Sequence, residues 1–221
     1  MATSRPRRPR PRPRRRLSAE ASRQRILEAA QRRVSETGPD GLRLQELAAD
    51  LGLSHPAILH HFGSREGLLA ELAAHGARQL NLELAERIRR PVVDVREILE
   101  LTSETLASRG QARLLAWLVL SGRGPKAVGP PVLRELAEVA QATRAAHRVA
   151  AGRPPPAAED TSFSVLLVGL ALFGDALVGA VLRQSLGLDD PQAAVRFRAW
   201  LARLLEEHFT QGGETEARTD D

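Results

Sequence analysis

A short stretch of the chain holds Arg43, Gln45, Ser54, His55, His60 and His61, with Arg65 just beyond them. These types suit hydrogen bonding to base edges and phosphate oxygens: His and Gln carry directed N–H groups, and Arg carries a rigid fork of donors. Ile58 and Phe62 recur one turn apart, which puts them on one helix face. His60 then points the opposite way, flanked by Pro56, Ala57 and Leu59, with His55 and His61 on the shoulders. Ala57 and Leu59 suit contact with a thymine methyl. The competing reading of the same face is a solvated helix surface with a partly buried His61. Other chemistry finds little support. No His/Asp/Glu spacing suggests a metal site, no nucleophile–base pair is readable, and no cofactor is implied. The chain has no cysteine, which excludes a disulfide scaffold and thiol catalysis.

The elements that must position these residues are all helical in pattern. A first helix is expected from about Ser18, with Glu20 in its first turn and Ile26, Ala30 and Val34 along one stripe; Gly38-Pro39-Asp40-Gly41 ends it. A second runs over 44–51, burying Leu44, Leu47, Ala48 and Leu51, and Gly52 closes it. Ser54 caps a third, with Pro56 in its first turn, and Gly63 stops it. Ser64 caps a long fourth helix that ends before Pro91. Two short helices around a Gly-Leu-Ser turn form a helix-turn-helix, whose second member is small enough to enter a major groove.

Beyond Pro91 the pattern predicts helices over 93–109, 111–121, 130–151, 161–186 and 191–210. The expectation is an all-α fold of about nine helices. It divides into an Arg/Pro-rich arm (1–17), a three-helix helix-turn-helix unit (18–64), a larger helical regulatory and dimerisation bundle (65–211) and an acidic tail (212–221).

Charge is uneven. The net charge is +5, yet residues 1–16 hold eight Arg and no acid, so the rest of the chain sums to −3. A basic balance confined to an arm does not by itself establish nucleic-acid binding. The arm is expected to add non-specific phosphate affinity; a defined A·T minor-groove contact is the sharper alternative. No secretory signal is visible, because Leu17-Ser18-Ala19-Glu20 stands where an apolar run should follow the basic residues. Residues 163–182 contain one charge, Asp175, and are long enough to span a bilayer. A mid-bilayer Asp costs roughly 2.5–3.5 kcal/mol, so a buried soluble helix and no membrane is the expectation.

Residues from about Arg25 to Leu72 resemble the DNA-binding domain of TetR-family transcriptional regulators. The matching features are Ile26-Leu27-Glu28-Ala29-Ala30, Glu36 and Gly38, Leu47-Ala48, Gly52-Leu53-Ser54, Ile58-Leu59-His60-His61-Phe62 and Ser64-Arg65-Glu66-Gly67-Leu68, in order and at the family's spacing. The resemblance implies a cytoplasmic homodimer that binds a palindromic operator on double-stranded DNA. It also implies a repressor, released by a small-molecule effector, with no enzymatic activity. Ser54, His55, Ala57, Leu59, His60 and His61 lie at or beside recognition-helix positions, Gln45 matches a helix-two position that often reaches a base, and Arg65 matches the usual phosphate-binding Lys. Two departures stand out. Leu59 replaces a common Tyr that binds phosphate, and a Thr usually near Arg43 or Leu44 is missing, for which Arg43 offers compensation.

For the bundle, the resemblance implies a four-helix dimer interface built from the last two long helices of each subunit. Gly169, Phe173, Gly174, Leu177, Trp200 and Leu204 are the candidates. His75, Arg113, Trp117 and His147 are candidates for effector contact, with Glu104 a further polar group; ordinary core packing is the simpler account of Trp117. Two other readings remain open: a membrane-tethered regulator anchored by 163–182, and a helical small-molecule-binding protein or enzyme.

Overall fold

Each helix of the N-terminal third starts on a side chain or turn that the sequence supplies. In the computed structural model, which describes residues 18–122 and 131–211, Ser18 Oγ accepts from the Ala21 N–H at 3.1 Å and opens α1 (Ala19–Thr37). The Arg/Pro-rich arm, residues 123–130 and the acidic tail lie outside the described residues. A single 3₁₀ turn (Pro39–Gly41) leads into α2 (Leu44–Leu51), α3 spans His55–Phe62, and α4 (Arg65–Ile88) begins on the Ser64 cap.

The second half is also helical. Asp94 caps α5 (Val95–Ser103) through the Arg96 and Glu97 N–H groups. The helix expected to run on to 109 instead loosens into a π-helical turn (Glu104–Ser108). Gly110, at φ +71°, then resets the chain into α6 (Gln111–Leu120). After it come α7 (Pro131–Ala150), α8 (Ala158–Ser185) and α9 (Ala193–Gln211). The described residues are all-α, with nine α-helices.

Apolar side chains gather in three clusters. The first joins Ile26, Leu42, Leu47, Ile58, Leu68 and Leu69 of the N-terminal helices, and it also contains Leu114 and Leu118 of α6. The second lies between α5, α6, α8 and α9, around Leu99, Leu172 and Leu201. The third seats α7 against α4 and α5 through Leu84, Leu101 and Leu136. Thus α6 belongs to the core of the N-terminal helices as well as to the bundle. Burying a Leu side chain is worth about 1.5–3 kcal/mol, so Leu114 and Leu118 bind α6 firmly to that unit.

One face of α8 is not covered. Phe163, Leu166, Leu167, Leu170, Leu177, Val178 and Val181 are exposed, while Thr161, Ser164, Leu172 and Gly179 on the other side are buried. Gly174 lies in the exposed stripe, and nothing lies within 4 Å of where a Cβ would stand on it or on Gly169. Trp200 and Leu204 of α9 are exposed too, whereas Phe173 leans on the second cluster.

Candidate nucleic-acid interface

The turn between α2 and α3 is held by backbone geometry. Gly52 adopts φ +65°, a left-handed conformation that costs other residues energy, and lets the Leu53 N–H reach the Ala48 carbonyl at 2.9 Å. Ser54 then accepts from the Ala57 N–H at 3.3 Å, and Pro56 occupies a first-turn position whose N–H has no helical partner. Ile58 is fully buried in the first cluster and sets the helix rotation. His60 consequently faces solvent; His55, Ala57 and His61 are half-buried. Arg43, Gln45 and Ser54 are exposed.

Two expected contacts take a different orientation. Leu59, expected on the outward flank, is half-buried and packs against the first cluster. A two-turn helix with only Ile58 fully buried draws its neighbouring apolar side chains inward. Arg65, expected to face phosphate, turns its guanidinium onto the main chain: Nε donates to the Leu42 carbonyl at 2.9 Å, and a terminal nitrogen donates to the Pro39 carbonyl.

Residues from outside the motif hold the reader in place. Arg23 of α1 donates to the His61 carbonyl at 2.9 Å, lies 4.8 Å from the Phe62 ring centroid and pairs with Glu71 of α4 at 3.3 Å. It therefore ties the last turn of α3 to two neighbouring helices and satisfies a terminal carbonyl. Arg33 donates to Asp50 at 2.7 and 2.9 Å and to Glu46 at 2.8 Å, joining α1 to α2. Its hydrogen bond to Asp50, with that to Glu46, holds its proton more tightly than usual. The two carboxylates on α2 are thereby countered, which lessens their repulsion of a phosphate backbone. Neither arginine carries a local sequence signal, because its partners stand 13 or more residues away.

The four effector candidates have different surroundings. His75 lines a cleft of about 240 Å³ with Leu27, Glu28, Gln31, Arg32 and Leu72. Arg113 and His147 are exposed, as is Glu104. Trp117 is half-buried against the first cluster, and its Nε1 donates to Asp40 Oδ1 at 2.9 Å, joining α6 to the 3₁₀ turn. No group of three or more His, Asp or Glu with metal-site geometry occurs among the described residues.

Comparison with known proteins agrees with this arrangement. The family described as "Bacterial regulatory proteins, tetR family" matches residues 26–72. An uncharacterised HTH-type transcriptional regulator of Mycobacterium tuberculosis is 25% identical over 199 residues, which cover 90% of this chain and 79% of that one. The HTH-type transcriptional repressor AcnR of Corynebacterium glutamicum is 42% identical over 59 residues, 27% of this chain and 31% of that one. Among solved structures, a putative TetR-family regulator from Mesorhizobium loti superposes with a TM-score of 0.59 at 16% identity, covering 88% of this chain and 96% of that one. A TetR variant from Acinetobacter baumannii in complex with minocycline gives 0.55 at 20% identity, covering 83% and 93%. At these identities the structures share the fold. Taken with the helix-turn-helix at residues 44–62 and the family match that spans it, they make the chain similar to TetR-family DNA-binding transcriptional regulators, by sequence over residues 26–72 and by fold over most of its length.

Proposed function

We propose that the chain is a repressor that binds a palindromic operator as a homodimer and is released by a small-molecule effector. The observation that carries this reading is the bare apolar stripe on α8. Its exposure is one-sided: residues from Phe163 to Val181 face out while the opposite side packs into the bundle. A lipid environment would favour apolar residues all round, and a second protein subunit needs only one face. Gly169 and Gly174, with open space where a Cβ would stand, suit close approach of a partner helix. A two-fold dimer presents two α3 helices to two half-sites of an inverted repeat.

On each half-site, exposed His60, with His55, His61 and Gln45 beside it, would read base edges, and Ala57 would meet a thymine methyl. Arg43 and the N-terminus of α3 at Ser54 would meet phosphates. Half-buried Leu59 has no side-chain hydrogen bond to offer a phosphate. Repression rather than activation is favoured by likeness to AcnR over the reading segment. Acting on operator DNA would put the chain in the cytoplasm. Effector and operator would weaken each other's binding reciprocally, since only differential affinity for two states moves the equilibrium.

A mobility-shift titration on the DNA flanking the chain's own gene tests the reading. Wild type should give a specific shift at elevated salt, and His60→Ala should weaken it about tenfold, the scale of one lost base contact. A wild-type shift no stronger than on scrambled DNA would overturn it.

A further inference from the structure

Arg65 occupies the first position of α4, one residue after the Ser64 cap. An arginine facing outward there would add its charge to free N–H groups that already favour phosphate. Each of the three nitrogens of this guanidinium instead has a partner within the protein. Nε donates to the Leu42 carbonyl at 2.9 Å, one terminal nitrogen donates to the Pro39 carbonyl, and the other stands 3.6 Å from Glu66. The Cζ atom lies 5.5 Å from the centroid of the Trp117 ring, and that indole donates to Asp40. The side chain is only 24% exposed.

We propose that Arg65 is a positioning residue, a strut that locks the entry to α2 against both α4 and α6, rather than a phosphate ligand. Pro39, Asp40 and Leu42 form the turn that delivers the chain into α2, and all three are held by the Arg65–Trp117 pair. Around this clasp α6 is fastened to the reader at further points. Leu114 and Leu118 lie in its core, and Gln31 of α1 donates to the Arg109 carbonyl. A Cβ on Gly110 would stand 3.3 Å from the Ser35 Cα, so the chain there runs close along α1. A displacement of α6 would therefore reach the DNA reader directly, in addition to any movement along α4. The residue type fits the task. Lysine offers phosphate a point charge, but has no planar fork to span two carbonyls and no flat face to lie on an indole.

The strut rests on the DNA-binding assignment only for its effect on affinity, so the test has two arms. In the first, wild type, Arg65→Ala and Arg65→Lys are titrated across a salt series on a duplex selected from a random pool with the wild-type chain. The strut predicts at least a tenfold loss in Arg65→Ala, no recovery in Arg65→Lys, and an unchanged slope of log affinity against log salt. A phosphate ligand predicts a slope shallower by about 0.9 in Arg65→Ala and recovery in Arg65→Lys, and either result overturns the proposal. The second arm uses the free protein. Trp117 emission, isolated by difference from Trp117→Phe, should shift to longer wavelength in both Arg65 variants; unchanged emission overturns the strut. If Arg65→Ala fails to fold, Arg65→Lys carries both readouts. Absence of any specific duplex for wild type would sink the proposed operator binding, and the emission arm would still decide the strut.

Discussion

Gln111 is nearly fully buried, and its side-chain amide donates to the Ala73 carbonyl of α4 at 2.7 Å. Gly76, one turn further along α4, makes room for it: a Cβ there would stand 2.6 Å from the Gln111 amide nitrogen. Two effects oppose each other in Gly76→Ala. The helix gains about 1 kcal/mol in propensity. The displaced amide loses a buried partner, at about 1–3 kcal/mol, and the crowded α4–α6 contact must also open. The loss should win. Gly76→Ala is expected to destabilise the chain by about 1–2 kcal/mol, lowering Tm by roughly 2–8 °C for a domain of this size. A Tm equal to or above wild type would refute the contact. At this scale the sequence showed which side chains are polar and where the turns fall. It did not show where Arg65, Trp117 or Leu59 point, because their partners come from segments distant along the chain.

Among the elements, the starts and stops of α1 to α4 were legible because caps are local: Ser18, Ser54 and Ser64 each accept from an N–H three residues on. The joints between later helices were not. Arg144 of α7 donates to Asp160 Oδ2 at 2.7 Å and to Thr161 Oγ1 at 2.6 Å, and lies 4.3 Å from the Phe209 ring centroid. His208 of α9 meets Asp160 Oδ1 at 2.7 Å, so one carboxylate at the start of α8 fastens three helices. Burial pushes the Asp160 carboxyl up, but hydrogen bonds and charge from Arg144 and His208 outweigh it and hold it below the ordinary 3.8. A carboxyl lowered in the folded state adds stability that is present above its unfolded value and lost as pH falls through its folded one. Asp160→Asn should therefore destabilise the chain at pH 7 and flatten the fall in urea midpoint below about pH 4. Part of that fall should persist, since Asp190, held to about 2 by its hydrogen bonds from Arg196, is unchanged. Identical acid profiles for wild type and variant would count against the joint.

For the whole molecule, the governing question is what covers α8. The helix is long and apolar enough to cross a membrane, and only 11% of its most apolar window is buried. Its polar content speaks for a protein partner. Asp175 is paired with Arg183 two turns away, an arrangement Gly179 permits because a Cβ there would collide with both side chains. The start of α8 is clamped to α7 and α9 through Asp160. If the stripe is a subunit interface, wild type should sediment as a dimer in detergent-free buffer. Leu170→Glu, at the centre of the stripe, should give a folded monomer. Its operator affinity should fall by 10² or more, because linked half-site binding is lost. Recovery of wild type only with membranes, or a Leu170→Glu dimer, would reject this arrangement.

The sequence by itself determined the class of element and the identity of the reader. Helical periodicity, caps and glycine turns are short-range, and the spacing from Ile26 to Leu72 carried the family resemblance without help from the rest of the chain. Tertiary structure alone decided the division of labour. It assigned α6 to the reader's core through Leu114 and Leu118, turned Arg65 inward onto two carbonyls and an indole, and left one side of α8 bare. The physical reason is common to all three. A helix pattern states how much apolar surface must be buried, but which neighbour buries it depends on contacts between segments tens of residues apart.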